Sequence, residues 1–560
     1  MIRLLRLTPL ICLALFACGG GESPADLVIT GGQVFTGADS NVHEAVAVAG
    51  GRFVAIGTSE DLEGFIGPAT VVVDAQGGAV VPGFIDGHVH MEYGISFVRG
   101  VDLTGVADKS EWLRRIGERS SELPEGAWIT GGAWDHTLLD PPVFPTRQEL
   151  DEVAPDHPVA LRDIDGHTLW ANTLALELAG VDRTTPDPTG GEILKDVRGE
   201  PTGIFLEAGG LVTAHVPDAQ GDEGLALLRE TFEYGASLGL TGVHNMAGME
   251  RVDDYMRLLD QGELDLRIWF GATGALEELD ELKVLRDKAA LRSAEGSNGP
   301  MVEVGYVKLM ADGVLSSRTA ALLGPYADHP DTEGSMRMSP DALAEGIVRA
   351  NEAGFPVAVH AIGDRTVRIT LDAMEAAGPV QGLLPNRIEH IEVIDPADVG
   401  RFRELGVLAS MNPHHCITGI DVYNTDRLGP QRAAMSFAWG GLADAGATLV
   451  FGSDWVTAPL SPLDQLYAAT VREKPTGGPD GGWHPDNAIS WFDALRAYTL
   501  APAEASGWDD EVGSIEVGKW ADFVLLDGPV ALPVDPEIRS RTVRATYLAG
   551  RQTFEASDGG

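Results

Sequence analysis

The chain has 560 residues and a formal charge of −44, from 84 acidic against 40 basic side chains. This length allows a large catalytic domain with accessory modules, and a hydrophobic content of 44% is typical of a globular enzyme. The acidic balance argues against nucleic acid and anionic lipid surfaces as partners, because like charges repel.

The first residues predict an exported lipoprotein. Two arginines precede the apolar run Leu10–Ala17, which is too short to span a bilayer and is typical of a secretory signal. Cys18 ends this run in a context that resembles a bacterial lipoprotein cleavage site, and residues 19–25 predict a Gly-rich tether. We therefore expect a signal peptide over residues 1–18 and a lipid anchor on Cys18 in the bacterial cell envelope. The alternative is an ordinary signal peptide with an incidental cysteine.

Both ends of the remaining chain predict short β-strands. Residues 26–81 alternate brief apolar runs with Gly-rich turns, and the same pattern returns over residues 511–556. Neither half has enough apolar residues for a core of its own. We expect the two halves to pair into one small β-sandwich.

The region between them, residues 82–510, predicts an α/β fold, a TIM-like (β/α)8 barrel. Apolar runs of strand length alternate with amphipathic helical stretches. The connection after the first strand is much longer than the others, so we expect an inserted subdomain over about residues 100–236, as a lid or substrate-binding element. The candidate strands are Val80–Asp86, Gly239–Asn245, Leu266–Gly271, Gly305–Met310, Phe355–His360, Arg387–Ile391, Gly406–Met411 and Thr448–Ser453.

Metal-ligand residue types lie at the predicted strand ends. His88 and His90 alternate by two after the first apolar run, so both imidazoles project to the same side. Four more such residues fall in or just after strands four, five, six and eight: Lys308, His360, His390 and Asp454. Buried polar groups of this kind are costly unless paired or metal-bound, and barrel enzymes build their active sites at strand C-termini.

These motifs resemble the amidohydrolase superfamily, within it the YtcJ-like branch that includes N-substituted formamide deformylases. The matching stretches, in family order, are PGFIDGHVH, KLMADGVLSSRTAALLGPY, HAIGDR, RIEH, FGSDW and VGSIEVGKWADFVLLD. The resemblance implies two divalent metal ions, zinc by family type, with His88 and His90 on one ion. It implies His360 and His390 on the other ion.

In the same resemblance, Lys308 bridges the two ions as a lysine carboxylated by CO2. Asp454 completes the first site and transfers the proton from water to the leaving amine. From the residues alone, Lys308 has two alternatives, a structural cation or a group that binds a substrate carboxylate.

Six further residues are candidates for substrate binding, each with a structural alternative. A tryptophan and two histidines of the insertion can face the pocket or pack within it, and three others follow strands four and seven. An arginine after a strand commonly fixes a loop by pairing with a carboxylate. The six are Trp134, His136, His167, Asp312, Arg318 and His414.

The sequence therefore predicts a metal-dependent hydrolase of carbon–nitrogen bonds that acts on a small linear N-substituted amide. One alternative is a mononuclear deaminase of a nucleobase-like substrate, against which Lys308 argues. The other is a non-catalytic ligand-binding lipoprotein. We expect contact with a membrane only through the lipid anchor, and a homodimer is left open.

Overall fold

Seven short strands begin the folded part of the chain. The computed structural model describes residues 23–557 except positions 165, 167, 189–190, 218–220, 297, 380 and 421. The predicted signal peptide and Cys18 lie outside these residues. The strands are β1 (Leu27–Thr30), β2 (Gln33–Phe35), β3 (Val42–His43), β4 (Ala45–Ala49), β5 (Arg52–Gly57), β6 (Val71–Asp74) and β7 (Ala79–Pro82).

One barrel strand and one helix, β8 (Phe84–Val89) and α1 (Met91–Val98), precede an inserted sheet. Its six strands are arranged in the order β13-β14-β12-β11-β10-β9. Their bounds are β9 (Val101–Asp102), β10 (Gly131–Trp134), β11 (Ala160–Asp163), β12 (Thr168–Ala171), β13 (Glu192–Lys195) and β14 (Pro201–Leu206). The helices of this region are α2 (Lys109–Glu122), α3 (Arg147–Val153), α4 (Thr173–Ala179) and α5 (Gly210–Thr213).

Seven further parallel strands complete an eight-stranded barrel sheet with β8. They are β15 (Leu240–Gly248), β16 (Arg267–Thr273), β17 (Val302–Met310), β18 (Val357–Ala361), β19 (Arg387–His390), β20 (Leu408–Met411) and β21 (Leu449–Phe451). The sheet order is β21-β20-β19-β18-β17-β16-β15-β8, so each strand follows its neighbour in sequence. These strands are buried on both faces, which explains their continuous apolar runs.

Helices cover the outside of the barrel. Their bounds are α6 (Gly221–Ser237), α7 (Val252–Gln261), α8 (Leu279–Glu295), α9 (Pro340–Glu352), α10 (Asp364–Ala377), α11 (Arg401–Leu405), α12 (Pro413–Thr418), α13 (Gly429–Ala433), α14 (Trp439–Asp444), α15 (Pro462–Thr470), α16 (Trp491–Ala497) and α17 (Leu500–Ser506). Helix α6 falls within the predicted insertion, yet it packs Leu228 and Phe232 into the barrel core. Among the described residues, no helix is both long and apolar enough to cross a membrane.

The chain ends in β22 (Phe523–Leu526), β23 (Val543–Leu548) and β24 (Arg551–Glu555), which join the N-terminal strands. Strand β22 pairs antiparallel with β7, giving a sheet of order β24-β23-β22-β7-β2-β3 that packs on a second sheet of order β5-β4-β1-β6. Apolar side chains of both sheets form one buried cluster. The predicted fold class, a barrel with a sandwich from both termini and an insertion after strand one, is confirmed.

The first predicted strand, Val80–Asp86, is two strands in the structure. Residues up to Pro82 belong to the sandwich, and the barrel strand starts at Phe84. Gly83 separates them: its N–H donates to the carbonyl of Asp522, and a Cβ here would lie 2.1 Å from the Thr241 hydroxyl oxygen. Sequence periodicity could not show this division, because both strands are apolar and buried.

A buried ion pair connects the barrel to the sandwich. Arg267 of β16 donates from Nε and Nη2 to the two oxygens of Asp522 at 2.6 and 2.9 Å. Its remaining nitrogen donates to backbone carbonyls, and neither side chain is more than 3% exposed. This bidentate pair fixes the orientation of the two modules.

Strands β8 and β21 meet through a carboxylate. Asp86 accepts hydrogen bonds from the backbone N–H groups of His88 and Ser453 and from the hydroxyl of Tyr498. Burial raises the pKa of Asp86 to about 6. The Asp454 N–H also donates to the His88 carbonyl at 2.8 Å. The seam of the barrel therefore lies between β8, which carries His88, and β21, which is followed by Asp454.

Candidate metal centre

Side chains from five barrel strands converge at the C-terminal end of the barrel. Asp454 Oδ1 lies 3.4 Å from His90 Nε2 and 3.6 Å from His88 Nε2. Lys308 Nζ lies 3.3 Å from the same His88 nitrogen. The His390 ring lies 4.9 Å from the His88 ring and 4.6 Å from the His360 ring, measured between centroids. The six residues expected from the sequence thus form one cluster.

Two of these residues have unusual backbone conformations, which set the direction of their side chains. His390 has φ of 74° and Asp454 has φ of 57°, both in the left-handed region that L-residues with bulky side chains rarely adopt. Such conformations cost free energy and are concentrated at functional sites. Here they occur at the last residue of β19 and three residues after β21, where the two side chains join the cluster.

Each imidazole is held through one ring nitrogen, and in His88 and His90 the other nitrogen, Nε2, faces Asp454. The holding contacts are His88 Nδ1 to Glu389 Oε2 at 2.7 Å, His90 Nδ1 to the Met246 carbonyl at 2.8 Å, His360 Nε2 to the Gly313 carbonyl at 3.0 Å, and His390 Nδ1 to Asn412 Oδ1 at 2.8 Å. Metal-ligating histidines typically show this arrangement, since the second contact fixes the tautomer and the ring orientation.

The donor set fits divalent ions such as zinc. Among the described residues, His88, His90 and Asp454 form one group with ligand atoms within 4.8 Å of one another, and His390, His415 and Asp454 form another. Imidazole nitrogen and carboxylate oxygen are the ligand types of catalytic zinc sites. Burial of these groups without a cation is costly, so the cluster has the chemistry of a metal centre.

Burial and neighbouring charges set the protonation of the cluster. Burial and the charge of Lys308 lower the pKa of His88 to about 4, which leaves a neutral ring with a lone pair. Burial raises the pKa of the Asp454 carboxyl, but the hydrogen bond from His90 and the nearby imidazoles hold it well below its ordinary value. Burial lowers the pKa of Lys308 to about 8, against the opposing effect of Glu389. His88 and Asp454 are thus in their metal-binding forms at neutral pH, whereas the Lys308 amine is still mostly protonated there.

A cavity of about 590 Å³ opens above the cluster. Much of its wall is apolar, including Met310, Val314, Leu315, Ile362 and Val456. This volume and lining are typical of small-molecule sites.

The inserted sheet forms part of the cavity wall. It contributes Arg162, Ile164 and Gly166 to the lining. Glu207, just after β14, contacts the Ser317 hydroxyl at 3.4 Å and Arg337 Nη2 at 2.8 Å, in the connection after strand four. The insertion is therefore docked onto the barrel beside the cavity.

Comparison with known proteins identifies the family. The family model described as "Amidohydrolase family" matches residues 71–554. The chain belongs to the amidohydrolase family. It is 33% identical to Protein LONG AFTER FAR-RED 3 of Arabidopsis thaliana over 95% of this chain and 92% of that protein. It is 31% identical to N-substituted formamide deformylase of Arthrobacter pascens over 95% of this chain and 98% of that enzyme.

A solved structure supports the same assignment. An uncharacterized metal-dependent hydrolase from Pyrococcus horikoshii superposes with a TM-score of 0.70 at 26% identity, covering 89% of this chain and 96% of that one. The predicted resemblance to amidohydrolases is confirmed. This amidohydrolase is an enzyme, a metal-dependent hydrolase that acts on carbon–nitrogen bonds.

Two residues of the insertion that we expected to bind substrate lie away from the cavity of the amidohydrolase. Trp134 is fully buried, donates to the Leu161 carbonyl and packs with Trp170 in the core of the insertion. His136 stacks on Phe144 at 4.2 Å. Trp134 stabilises the insertion, since an aromatic ring of this size fills a small core, and His136 packs beside it. His167 lies outside the described residues.

Two candidates after strand four also have structural contacts. Asp312 is buried and accepts hydrogen bonds from the N–H groups of Ile362, Gly363 and Ala321, and burial raises its pKa to about 6. It thereby joins strand four to the turn after strand five. Arg318 forms a bidentate ion pair with Asp328 and does not line the cavity. These contacts correct the expectation that either residue faces the substrate.

The structure replaces His414 with its neighbour His415. His414 is buried, with Nδ1 3.0 Å from the Thr418 hydroxyl. His415 lines the cavity instead, with Nε2 3.8 Å from Asp454 Oδ2 and Nδ1 3.5 Å from Glu392 Oε1. Adjacent residues on helix α12 point about 100° apart. In so short a helix, the sequence pattern does not show which of the two side chains faces the cavity.

Sequence reasoning also missed Glu389, which directly precedes His390 in the RIEH motif. Its carboxylate is fully buried and contacts both His88 Nδ1 and Arg387 Nε. Burial raises the pKa of Glu389, but Arg387 and His88 hold it well below its ordinary value. A charged residue within an apolar strand was the available signal, since such a residue needs a buried partner.

Proposed function

We propose that this amidohydrolase hydrolyses a small linear N-substituted amide to a carboxylate and an amine. The observation that carries the proposal is the Asp454 carboxylate, which lies among His88, His90, His390 and His415 at the base of a largely apolar cavity. The size of the cavity suits a small molecule rather than a polypeptide. The formamide-cleaving relative supports an amide over other carbon–nitrogen substrates.

Two divalent ions, of which zinc fits the donors best, would be held by the cluster. His88 and His90 with Asp454 would hold one ion, and His360 and His390 the other. Ions in such a donor set polarise a carbonyl and make water nucleophilic at neutral pH. Lys308 would bridge them after carboxylation, because its lowered pKa makes the neutral, CO2-reactive amine accessible.

Asp454 transfers a proton from the attacking water to the leaving amine. Its ionised carboxylate can accept a proton from the attacking water and deliver it to the nitrogen of the leaving amine. The amine then leaves as a neutral group, which lowers the barrier to breaking the C–N bond. The apolar wall keeps other water away, and this strengthens each electrostatic contact in the cavity.

A substrate panel tests the reaction. Purified, metal-loaded protein is offered N-formyl, N-acetyl and cyclic amides, esters, phosphoesters and aminopurines, and amine or ammonia release is measured. We expect turnover of linear amides and its loss in Asp454→Asn, whose amide occupies similar space but cannot accept a proton. Deamination of aminopurines or cleavage of phosphoesters without amide turnover would contradict the proposal. Elemental analysis should give about two metal ions per chain; a value of one with full activity would refute the binuclear site.

We further propose that the enzyme is exported and anchored by a lipid on Cys18, on the strength of the N-terminal sequence alone. Membrane fractionation of the wild type and of Cys18→Ser tests this. We expect the variant to leave the membrane fraction. An unchanged distribution would refute the lipid anchor.

A further inference from the structure

We propose that the amide substrate carries a carboxylate and that Arg162 of the inserted sheet binds it. The inference rests on the proposed amide hydrolysis and specifies the class of amide. Arg162 lies on β11, is half-buried, and lines the cavity that contains the metal cluster.

The guanidinium of Arg162 has one hydrogen-bond partner among the described residues. Nη1 donates to the Gly166 carbonyl at 3.0 Å, and the group lies 5.6 Å from the centre of the Tyr93 ring. It makes no ion pair with any residue in the described part of the chain. A guanidinium offers five N–H donors in a planar fork that matches a carboxylate, so most of this fork is available to a ligand.

The other charged side chains that line the cavity wall are paired with a neighbouring residue or hydrated by solvent. The Glu92 carboxylate accepts from the Tyr255 hydroxyl and the Asn245 amide. Glu392 lies 3.5 Å from His415, and Arg251 lies 3.4 Å from Asp254.

Glu250 is exposed at the rim, where solvent hydrates it. Arg162 differs from these side chains because no acidic group among the described residues pairs with it. The chain as a whole has 84 acidic and 40 basic side chains. A half-buried cation that pairs with no acid among the described residues, in a chain so rich in acids, indicates that its counter-charge comes from a ligand.

Arg162 is close enough to the metal cluster to act on the same small molecule. The Tyr93 ring stacks on the His90 ring at 5.4 Å, and the guanidinium lies 5.6 Å beyond it. The two steps place Arg162 at most about 11 Å from a candidate metal ligand, roughly the length of three extended residues. An amide with a carboxylate a few bonds from the scissile bond can reach both. The other substituent of the amide would then contact the apolar wall of the cavity.

Paired substrates test the inference. Each pair has the same scissile amide and differs only in a distal carboxylate or the corresponding carboxamide. We expect the wild type to prefer the carboxylate by about 10- to 100-fold in kcat/KM, the range for a charge-assisted hydrogen bond. Arg162→Gln should lose this preference through a raised KM for the carboxylate alone, with turnover of the neutral partner retained. Arg318→Gln, which removes a half-buried arginine that does not line the cavity, should keep the preference.

Binding is measured separately from turnover. Calorimetry with the metal-loaded Asp454→Asn protein should show tighter binding of the carboxylate member, and addition of Arg162→Gln should abolish the difference. Equal cleavage of both members by the wild type, or an equal loss for both in Arg162→Gln, would overturn the carboxylate inference and leave the proposed function standing. If no amide is cleaved, the proposed function fails, and the calorimetric difference alone decides whether Arg162 binds the carboxylate.

Discussion

The buried pair between Arg267 and Asp522 allows a sharp test of how the sandwich is held to the barrel. In Asp522→Asn, the guanidinium keeps its contacts to backbone carbonyls but loses a bidentate carboxylate at 2.6 and 2.9 Å. Arg267 is fully buried, so water cannot replace the lost charge. Removal of one partner from a buried pair costs about 3–5 kcal/mol of unfolding free energy. We expect a loss of that size in urea unfolding followed by tryptophan fluorescence and circular dichroism.

A matched control lies two residues away. Asp265 pairs with Arg551 of the sandwich at 2.5 Å, but these side chains are 32% and 52% exposed. Asp265→Asn removes the same charge and should cost less than about 1 kcal/mol, because solvent screens an exposed pair. The double variant Arg267→Met/Asp522→Leu should recover much of the loss of Asp522→Asn, since no unpaired charge stays buried. Equal effects of the two single variants would refute this reasoning.

Three further predictions concern the metal cluster. Glu389→Gln should weaken metal affinity about 10- to 100-fold in chelator competition, because it removes the carboxylate that orients His88; unchanged affinity would contradict this. His415→Ala should lower kcat by about 100-fold while His414→Ala leaves it near wild type, and equal effects would show that His415 has no special role. The pKa of Lys308 is lowered to about 8, so its reactive neutral form increases as the pH rises through this value. The carbamate signal in 13C NMR with labelled bicarbonate should therefore increase from about pH 7 to pH 9 and be absent in Lys308→Arg.

Local sequence patterns predicted the fold and the cluster well, for a physical reason. A parallel barrel needs apolar strands of similar length, and its active site lies where these strands end. Residues such as His88, Lys308 and Asp454 could therefore be found by asking which polar groups interrupt or follow an apolar run. Each of these choices depends on only a few neighbouring residues.

The remaining features depend on distant contacts. His88 and Glu389 are 301 positions apart, and no local pattern shows that they touch. The choice between His414 and His415 depends on the orientation of the short helix α12 about its own axis. By its chemistry, the Trp134 side chain could line a pocket or fill a core equally well. Only the packing of the inserted sheet shows that it lies in the core.

The contacts that hold one nitrogen of each imidazole have a consequence for how the enzyme gains and loses its ions. Because carbonyls and carboxylates of the fold already orient the rings, a metal ion entering the cluster meets ligands that need little rearrangement. Chelation should then leave a folded apoprotein with its rings still in position, in contrast to small domains that unfold without zinc. The identity of the bound ion would follow from the metals available where the protein matures, and a different ion could be exchanged into the finished enzyme without refolding it.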